Sequence, residues 1–200
     1  MKGQPVVLLG AGHGKRMGQP KIFAMFEGAT FLERILERCR ETASPVTLTV
    51  DPQFRDKAEA LLATLSPPAP VLVEVDGTQP MLQSVRAALR LGKFGEGFWC
   101  WPVDAPFITA MGWDQSVETV RGEPEAIWKL QARGETGHPV WFPGWAVPRI
   151  LAGCWDDGLL GFQEECRDQT HVLILGDEEL RDFNSQEQLA AIAPSGEEQA

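Results

Sequence analysis

The stretch LLGAGHGKRMGQPK, residues 8–21, places four glycines and three cations in fourteen positions directly after an apolar run. PVVLLG, residues 5–10, has the composition of a buried strand, so the glycines leave a strand end. In an open α/β sheet, ligands bind outside the carboxyl ends of the strands, where a glycine loop can offer backbone N–H groups to an anion. Two familiar glycine loops do not fit. A Walker loop needs four residues between its glycine and Gly-Lys, followed by Ser or Thr, whereas Gly10 to Gly14 leaves three and Arg16 follows Lys15. A dinucleotide fingerprint begun at Gly10 needs glycine where Lys15 stands, and one begun at Gly12 ends on Met17. What remains is a triphosphate cradle, in which Ala11, Gly12 and Gly14 admit close backbone approach and Arg16 and Lys21 supply charge. The alternative is an ordinary glycine turn with solvated cations.

Outward from that loop, short apolar runs alternate with amphipathic segments. TFLERILERCRETA (30–43) repeats apolar residues at helical spacing, SPVTLTVD (44–51) predicts a strand, and FRDKAEALLATL (54–65) a second helix. VLVEV (71–75) follows PPAP as a strand, and MLQSVRAALRLG (81–92) reads as a helix stopped by Gly92. FWCWPVD (98–104) predicts a central strand and EAIWKLQ (125–131) the next. After these come GHPVWF as a short strand, VPRILAG and LLGFQEEC as short helices, HVLILG as a strand and SQEQLAAIA as a closing helix. The expected fold is α/β: three layers, a mainly parallel Rossmann-like sheet with helices on both faces. One domain over residues 1–193 and a frayed tail over 194–200 are expected.

Composition excludes several classes. A formal net charge of −10 repels nucleic acid and anionic membrane surfaces. No apolar run approaches the roughly 20 residues that span a bilayer, and the N-terminus lacks signal-peptide features, so a cytoplasmic location is expected. Cys39, Cys100, Cys154 and Cys166 form no C-x-x-C pair, which argues for reduced thiols rather than a zinc knuckle or disulfide framework.

LGAGHGKRMGQPK resembles the L-A-[AG]-G-x-S-x-R-M-G-x-x-K signature of the molybdenum cofactor nucleotidyltransferases, within the glycosyltransferase-A-like nucleotidyltransferase superfamily. PVDAPFIT (102–109) is similar to that family's P-V-D-x-P, GHPVWF (137–142) to the G-H-P-V-x-F of its cytidylyltransferase branch, and DFNSQEQL (182–189) to its closing D-x-[DN]-T-P-E-D-L. The four motifs keep the family's order and extend from residue 8 to residue 189. Departures cluster in the acceptor half. The family's Gly-Met-x-x-Ser survives only as PMLQS (80–84), and its Gly-Asp-x-Gly-Ala-Arg is dimly echoed by WDDGLLGF (155–162).

The resemblance implies the nucleotide-diphospho-sugar transferase type of fold and a magnesium-dependent transfer of a nucleoside monophosphate, CMP before GMP, from CTP or GTP to a phosphorylated pterin. A molybdoenzyme is the implied downstream partner. The nucleotide would meet Leu9, Gly10, Ala11, Gly12 and Gly14, with Arg16 on the β- and γ-phosphates and Lys21 at the reacting centre; Ser84 and Asp104 would complete that site. Asp104 would be the anionic magnesium ligand and Asn184 its neutral partner. Read alone, Asp104 serves equally as a cap for the segment after it, and Asn184 as the N-cap of the last helix. His138 is an acceptor-site donor or a structural histidine in a turn before Pro139. His13 touches a phosphate or faces solvent, and His171 flanks a strand. Trp99 and Trp101 alternate along one strand face and belong to the core. Trp141 and Trp145 flank the GHPV segment and offer an aromatic wall for a pterin or base. Two further readings stay open: transfer to another phosphorylated small molecule, such as a sugar phosphate or phospholactate, and a non-catalytic nucleotide- or cofactor-binding homologue.

Overall fold

A computed structural model describes residues 3–14, 18–177 and 179–180. A seven-stranded sheet runs in the order β5-β4-β1-β6-β8-β7-β9. Its first half comprises β5 (Val71–Glu74), β4 (Val46–Val50), β1 (Val6–Leu9) and β6 (Gly97–Pro102), all parallel. Its second half comprises β8 (Glu135–Pro143), β7 (Ile127–Ala132) and β9 (Thr170–Ile174); β8 is antiparallel to both neighbours, and β7 and β9 are parallel. A two-stranded ribbon, β2 (Met25–Phe26) with β3 (Ala29–Thr30), stands apart from the sheet. The fold is therefore the mainly parallel three-layer α/β architecture that the alternation predicts.

Strand periodicity sorts the core. Val6 and Leu8 face one side of the sheet with Trp99 and Trp101, under α1 (Phe31–Glu41), α2 (Arg55–Leu62) and α4 (Ala110–Gly122). Val7, Leu9, Phe98 and Cys100 face the other, under α3 (Met81–Leu91), α5 (Ala146–Ala152) and α6 (Leu159–Glu165). Helix α1 starts at a capping box: Thr30 Oγ1 accepts from Glu33 N at 3.1 Å, and Glu33 Oε2 accepts from Thr30 N at 2.6 Å. Cys39, Cys100 and Cys166 are buried thiols, Cys154 is exposed, and all four are free.

The sequence reading passes over α4. Its buried side carries Gly112, Trp113, Ser116, Val117 and Val120, so small and polar residues stand where an apolar stripe would announce a helix. Local hydrogen bonds help to hold it: Thr109 Oγ1, at the N-cap, accepts from Gly112 N at 3.1 Å, and Ser116 Oγ donates to Gly112 O one turn back at 2.7 Å. A Cβ on Gly112 would come within 2.7 Å of the Glu179 carboxylate, which packs over this helix start. GHPVWF is also more than a short strand. It belongs to the nine-residue β8, and the ladder with β7 jumps from Lys129↔Val140 to Leu130↔Gly137, so His138 and Pro139 sit in a bulge rather than a turn. The predicted closing helix and the tail lie outside the described residues.

Candidate active site

Strand β1 lies inside the sheet, and the strands beside it, β4 and β6, each lead into an aspartate with a proline close behind: Asp51-Pro52 and Asp104-Ala105-Pro106. The glycine loop leaves β1 between these two carboxylates. A cavity of about 220 Å³ opens at this edge. Leu9, Ala11, Gly12 and Gly14 line it from the loop, Lys21 and Asp104 from either side, and Ser84 from α3. Met81 and Ser84 belong to the start of α3, which brings the positive end of that helix to the same space.

The glycines divide the work. Gly14 has φ of +60°, and a Cβ there would lie 1.9 Å from the Gln19 carbonyl oxygen, so backbone geometry demands glycine. Nothing stands within 4 Å of a Cβ on Gly12, which leaves its backbone open to a ligand. Gly10 does not line the cavity. It backs the wall, where a Cβ would meet the Ile22 side chain at 2.6 Å, and its N–H donates to Thr49 O at 3.1 Å. Expected to touch the nucleotide, Gly10 instead permits close packing.

Lys21 opens a short 3₁₀ turn anchored by the buried Ile22 and Phe23, and its Nζ donates to Asp104 Oδ2 at 2.7 Å. Asp104 stands in a turn fixed by Ala105 N donating to Pro102 O at 3.2 Å and by Trp101 Nε1 donating to Ala105 O at 2.8 Å. Its side chain keeps 30% of its surface exposed, against 9% for Asp51. Sequence reading does not single out Asp51, although the same Asp-before-Pro grammar marks it. His13 Nε2 donates to Asp51 Oδ2 at 2.8 Å, the tautomer that a carboxylate acceptor requires. Gly77 N and Gln53 N donate to the same carboxylate at 2.9 and 3.0 Å. The His13 hydrogen bond, followed by those from Gly77 and Gln53, holds the Asp51 carboxyl down at about 2. Asp51 thus ties the glycine loop to the Gly77 segment, and His13 serves this tie rather than facing solvent.

Beyond Met81, which lines both spaces, lies a second cavity of about 510 Å³. His138 lines it; its Nδ1 is buried without a hydrogen-bond partner among the described residues. Burial pushes the His138 imidazole below its ordinary value, and the negative charge of Asp104 partly opposes that. The WDDGLL segment supplies Asp156, Asp157, Leu159 and Leu160 to this cavity, and β7 supplies Lys129, which sequence reading misses. Trp141 and Trp145 form no wall here. Trp141 is buried on the opposite face against Trp99, at 5.7 Å between centroids, and Trp145 Nε1 donates to Glu125 O at 2.8 Å. Phe142, one residue along and on the cavity side of β8, is the aromatic that lines it. His171 sits within β9 rather than flanking it, with Nδ1 3.4 Å from Glu123 Oε2.

Arg16 and Asn184 lie outside the described residues. Of the last described residues, Glu179 accepts from Thr109 N through Oε2 at 2.6 Å, and Leu180 lies near Gly137, the neighbour of His138. Among the described residues no three His, Cys, Asp or Glu side chains converge as a metal set, and no helix is long and apolar enough to cross a membrane.

A sheet with a glycine loop at the end of an inner strand, a lysine–aspartate pair beside it and an adjoining cavity is the arrangement of a nucleotide-binding α/β protein. The family model of the MobA-like NTP transferase domain matches residues 6–172, most of the chain, and the chain belongs to that family. No curated protein sequence matches it significantly. Among solved structures, Rv0371c from Mycobacterium tuberculosis H37Rv superimposes with a TM-score of 0.79 at 20% identity, covering 97% of this chain and 100% of that one. A complex of Rv0371c with manganese gives 0.75 at 19% identity, over 97% and 100% of the two chains. The inositol-1-phosphate CTP transferase of T. maritima gives 0.68 at 13% identity, over 98% of each chain. At these identities the likeness concerns the fold.

Proposed function

We propose that the chain is a magnesium-dependent nucleotidyltransferase that moves CMP, with GMP as second choice, from the triphosphate to the phosphate of a molybdopterin-type pterin. The observation that carries this reading is the Lys21–Asp104 contact at 2.7 Å, set between the glycine-loop cavity and the 510 Å³ cavity. An oxygen of the acceptor phosphate attacks the α-phosphorus, the bond from that phosphorus to the bridging α–β oxygen breaks, and pyrophosphate leaves in line. Both reactants are anions, so charge repulsion is the main barrier. Lys21 answers it at the reacting centre and Arg16 on the leaving phosphates. A phosphate monoester is already largely ionised near neutral pH, so no strong general base is needed.

The donor set suits a hard divalent ion: Asp104 meets Lys21 through Oδ2 and brings a second carboxylate oxygen, Asn184 adds a neutral oxygen, and magnesium takes few protein ligands. Bound there, the ion would withdraw charge from the phosphoryl oxygens. The manganese complex of Rv0371c supports a divalent ion, and the T. maritima neighbour supports CTP as donor. A second reading, transfer to a sugar phosphate or phospholactate, is favoured by Leu160, which stands where the resembling acceptor element carries arginine.

The test is pyrophosphate release across the four ribonucleoside triphosphates, with magnesium and with a pterin phosphate, a sugar phosphate and phospholactate as acceptors. CTP with the pterin should give the fastest release. Release with another acceptor alone moves the assignment to the second reading, and release with none overturns the transferase.

A further inference from the structure

Helix α3 walls both cavities: Met81 lines the two of them, Ser84 the smaller and Leu82 the larger. Leu82 and Arg86 are four residues apart, so they share a helix face, and both meet the stretch 153–158 that joins α5 to α6. Leu82 Cβ lies 3.9 Å from where a Cβ on Gly158 would stand. Arg86 Nε donates to Ile150 O at 2.9 Å, and its Nη2 donates to Gly153 O. These carbonyls belong to the last turn and the cap of α5, where a helix leaves C=O groups without an intrahelical partner. The bonds join residues 64 and 67 positions apart in the chain.

The joining turn has little else to place it. Residues 153–158 hold neither helix nor strand, and Cys154, Asp156 and Asp157 are exposed. Trp155 Nε1 donates to Glu165 Oε2 at 2.8 Å, which ties the turn to α6 and leaves its distance from the glycine-loop cavity unset. Where so little surface is buried, hydrogen bonds decide position. Resting on the transferase reading, we infer that Arg86 is a positioning residue for the transfer: it lines neither cavity, yet it holds the wall of the larger one at a fixed spacing from the helix start that faces the smaller. A cap drawn from α5 itself would satisfy the same carbonyls without setting that spacing. The guanidinium suits the task because its rigid fork reaches two carbonyls at once, whereas an ammonium keeps the charge without the fork. No motif marks this residue.

Two variants of the whole chain test the role, Arg86→Met and Arg86→Lys. Pyrophosphate release is measured with magnesium, CTP and whichever of the pterin phosphate, sugar phosphate and phospholactate serves the wild type best. Misplacing a reactant by about 1 Å costs on the order of a hundredfold in rate, so kcat should fall by about that factor in Arg86→Met and by about tenfold in Arg86→Lys. The dissociation constant for magnesium CTP, read by titration calorimetry, should stay within about twofold and report an intact nucleotide half. Amides of residues 154–158 should exchange hydrogen faster in the same order of variants. Arg86→Lys carries the test where Arg86→Met does not fold. Wild-type turnover in the variants, lost turnover with unchanged exchange at 154–158, or CTP affinity falling in step with turnover would overturn the role. A wild type that releases no pyrophosphate with any acceptor overturns the transferase and this role together; a wild type that turns over beside unaffected variants overturns the role alone.

Discussion

The two halves of the sheet solve different problems. In the parallel half, β5-β4-β1-β6, the site is made of strand ends, a glycine loop and two aspartates that the chain delivers to one edge by topology alone. In the other half the strand direction reverses at β8, and the cavity is assembled from a bulge, one residue of β7, the start of α3 and a turn before α6. The first half presents the open backbone of Gly12 and the Lys21–Asp104 pair at one strand edge. The second half is built from residues that no regular repeat delivers, and its cavity carries Lys129, Asp156 and Asp157 beside Leu160.

The sharpest way to break that contrast is Asp104→Asn, which keeps size and an oxygen but removes the charge proposed to hold the divalent ion. Pyrophosphate release should fall by roughly a thousandfold, with the thermal midpoint nearly unchanged because the side chain is partly exposed. Full activity in this variant would return the non-catalytic binding reading to first place. Arg16→Ala and Lys21→Ala come next. Each removes a cation from developing charge, a loss on the order of 3 kcal/mol or about a hundredfold in turnover. Unchanged turnover in both would take the loop out of the mechanism.

Legibility divides along the same line. Motifs whose meaning is local lead to one cavity: Gly12 and Gly14, Lys21 beyond them, and the aspartate within PVDAP all line it. The alternation of strand and helix yields the layers, because burial on alternate sides of β1 and β6 repeats with period two. Asp51 escapes notice although its grammar matches that of Asp104, because its partners, His13 and Gly77, are 38 and 26 residues away in the chain. Helix α4 escapes because Gly112 and Ser116 interrupt the apolar side formed by Trp113, Val117 and Val120. The expected aromatic wall is off by one residue, and in a strand one residue means the other face: Trp141 packs under α4, while Phe142 looks into the cavity.

A smaller effect probes the boundary between the halves. His138→Ala should raise the acceptor KM about tenfold and leave the CTP KM within about twofold, since the side chain lines only the larger cavity. An equal rise in both constants would place His138 in the nucleotide half despite its position on β8.

The smallest expected effect separates the two aspartates themselves. Asp51 and Asp104 follow the strands on either side of β1, yet one is saturated with hydrogen bonds and the other is open to the cavity. Asp51→Asn should therefore leave turnover close to wild type and act on stability, the reverse of Asp104→Asn. The sign of its pH dependence comes from the depressed carboxyl, held at about 2 when folded against 3.8 for an unperturbed group. A carboxylate held down in the folded state stabilises it fully above the unfolded value, and the contribution fades as pH falls through the folded one. The window is thus from about pH 4 down to about pH 2, and the amount at stake is about 2 kcal/mol. Urea unfolding at a series of pH values should show the wild type losing stability through that window more steeply than Asp51→Asn, with the two curves converging near pH 2. Parallel curves would mean that the tie from His13 through Asp51 to Gly77 does not hold the loop, and the contrast between the two strand ends would rest on exposure alone.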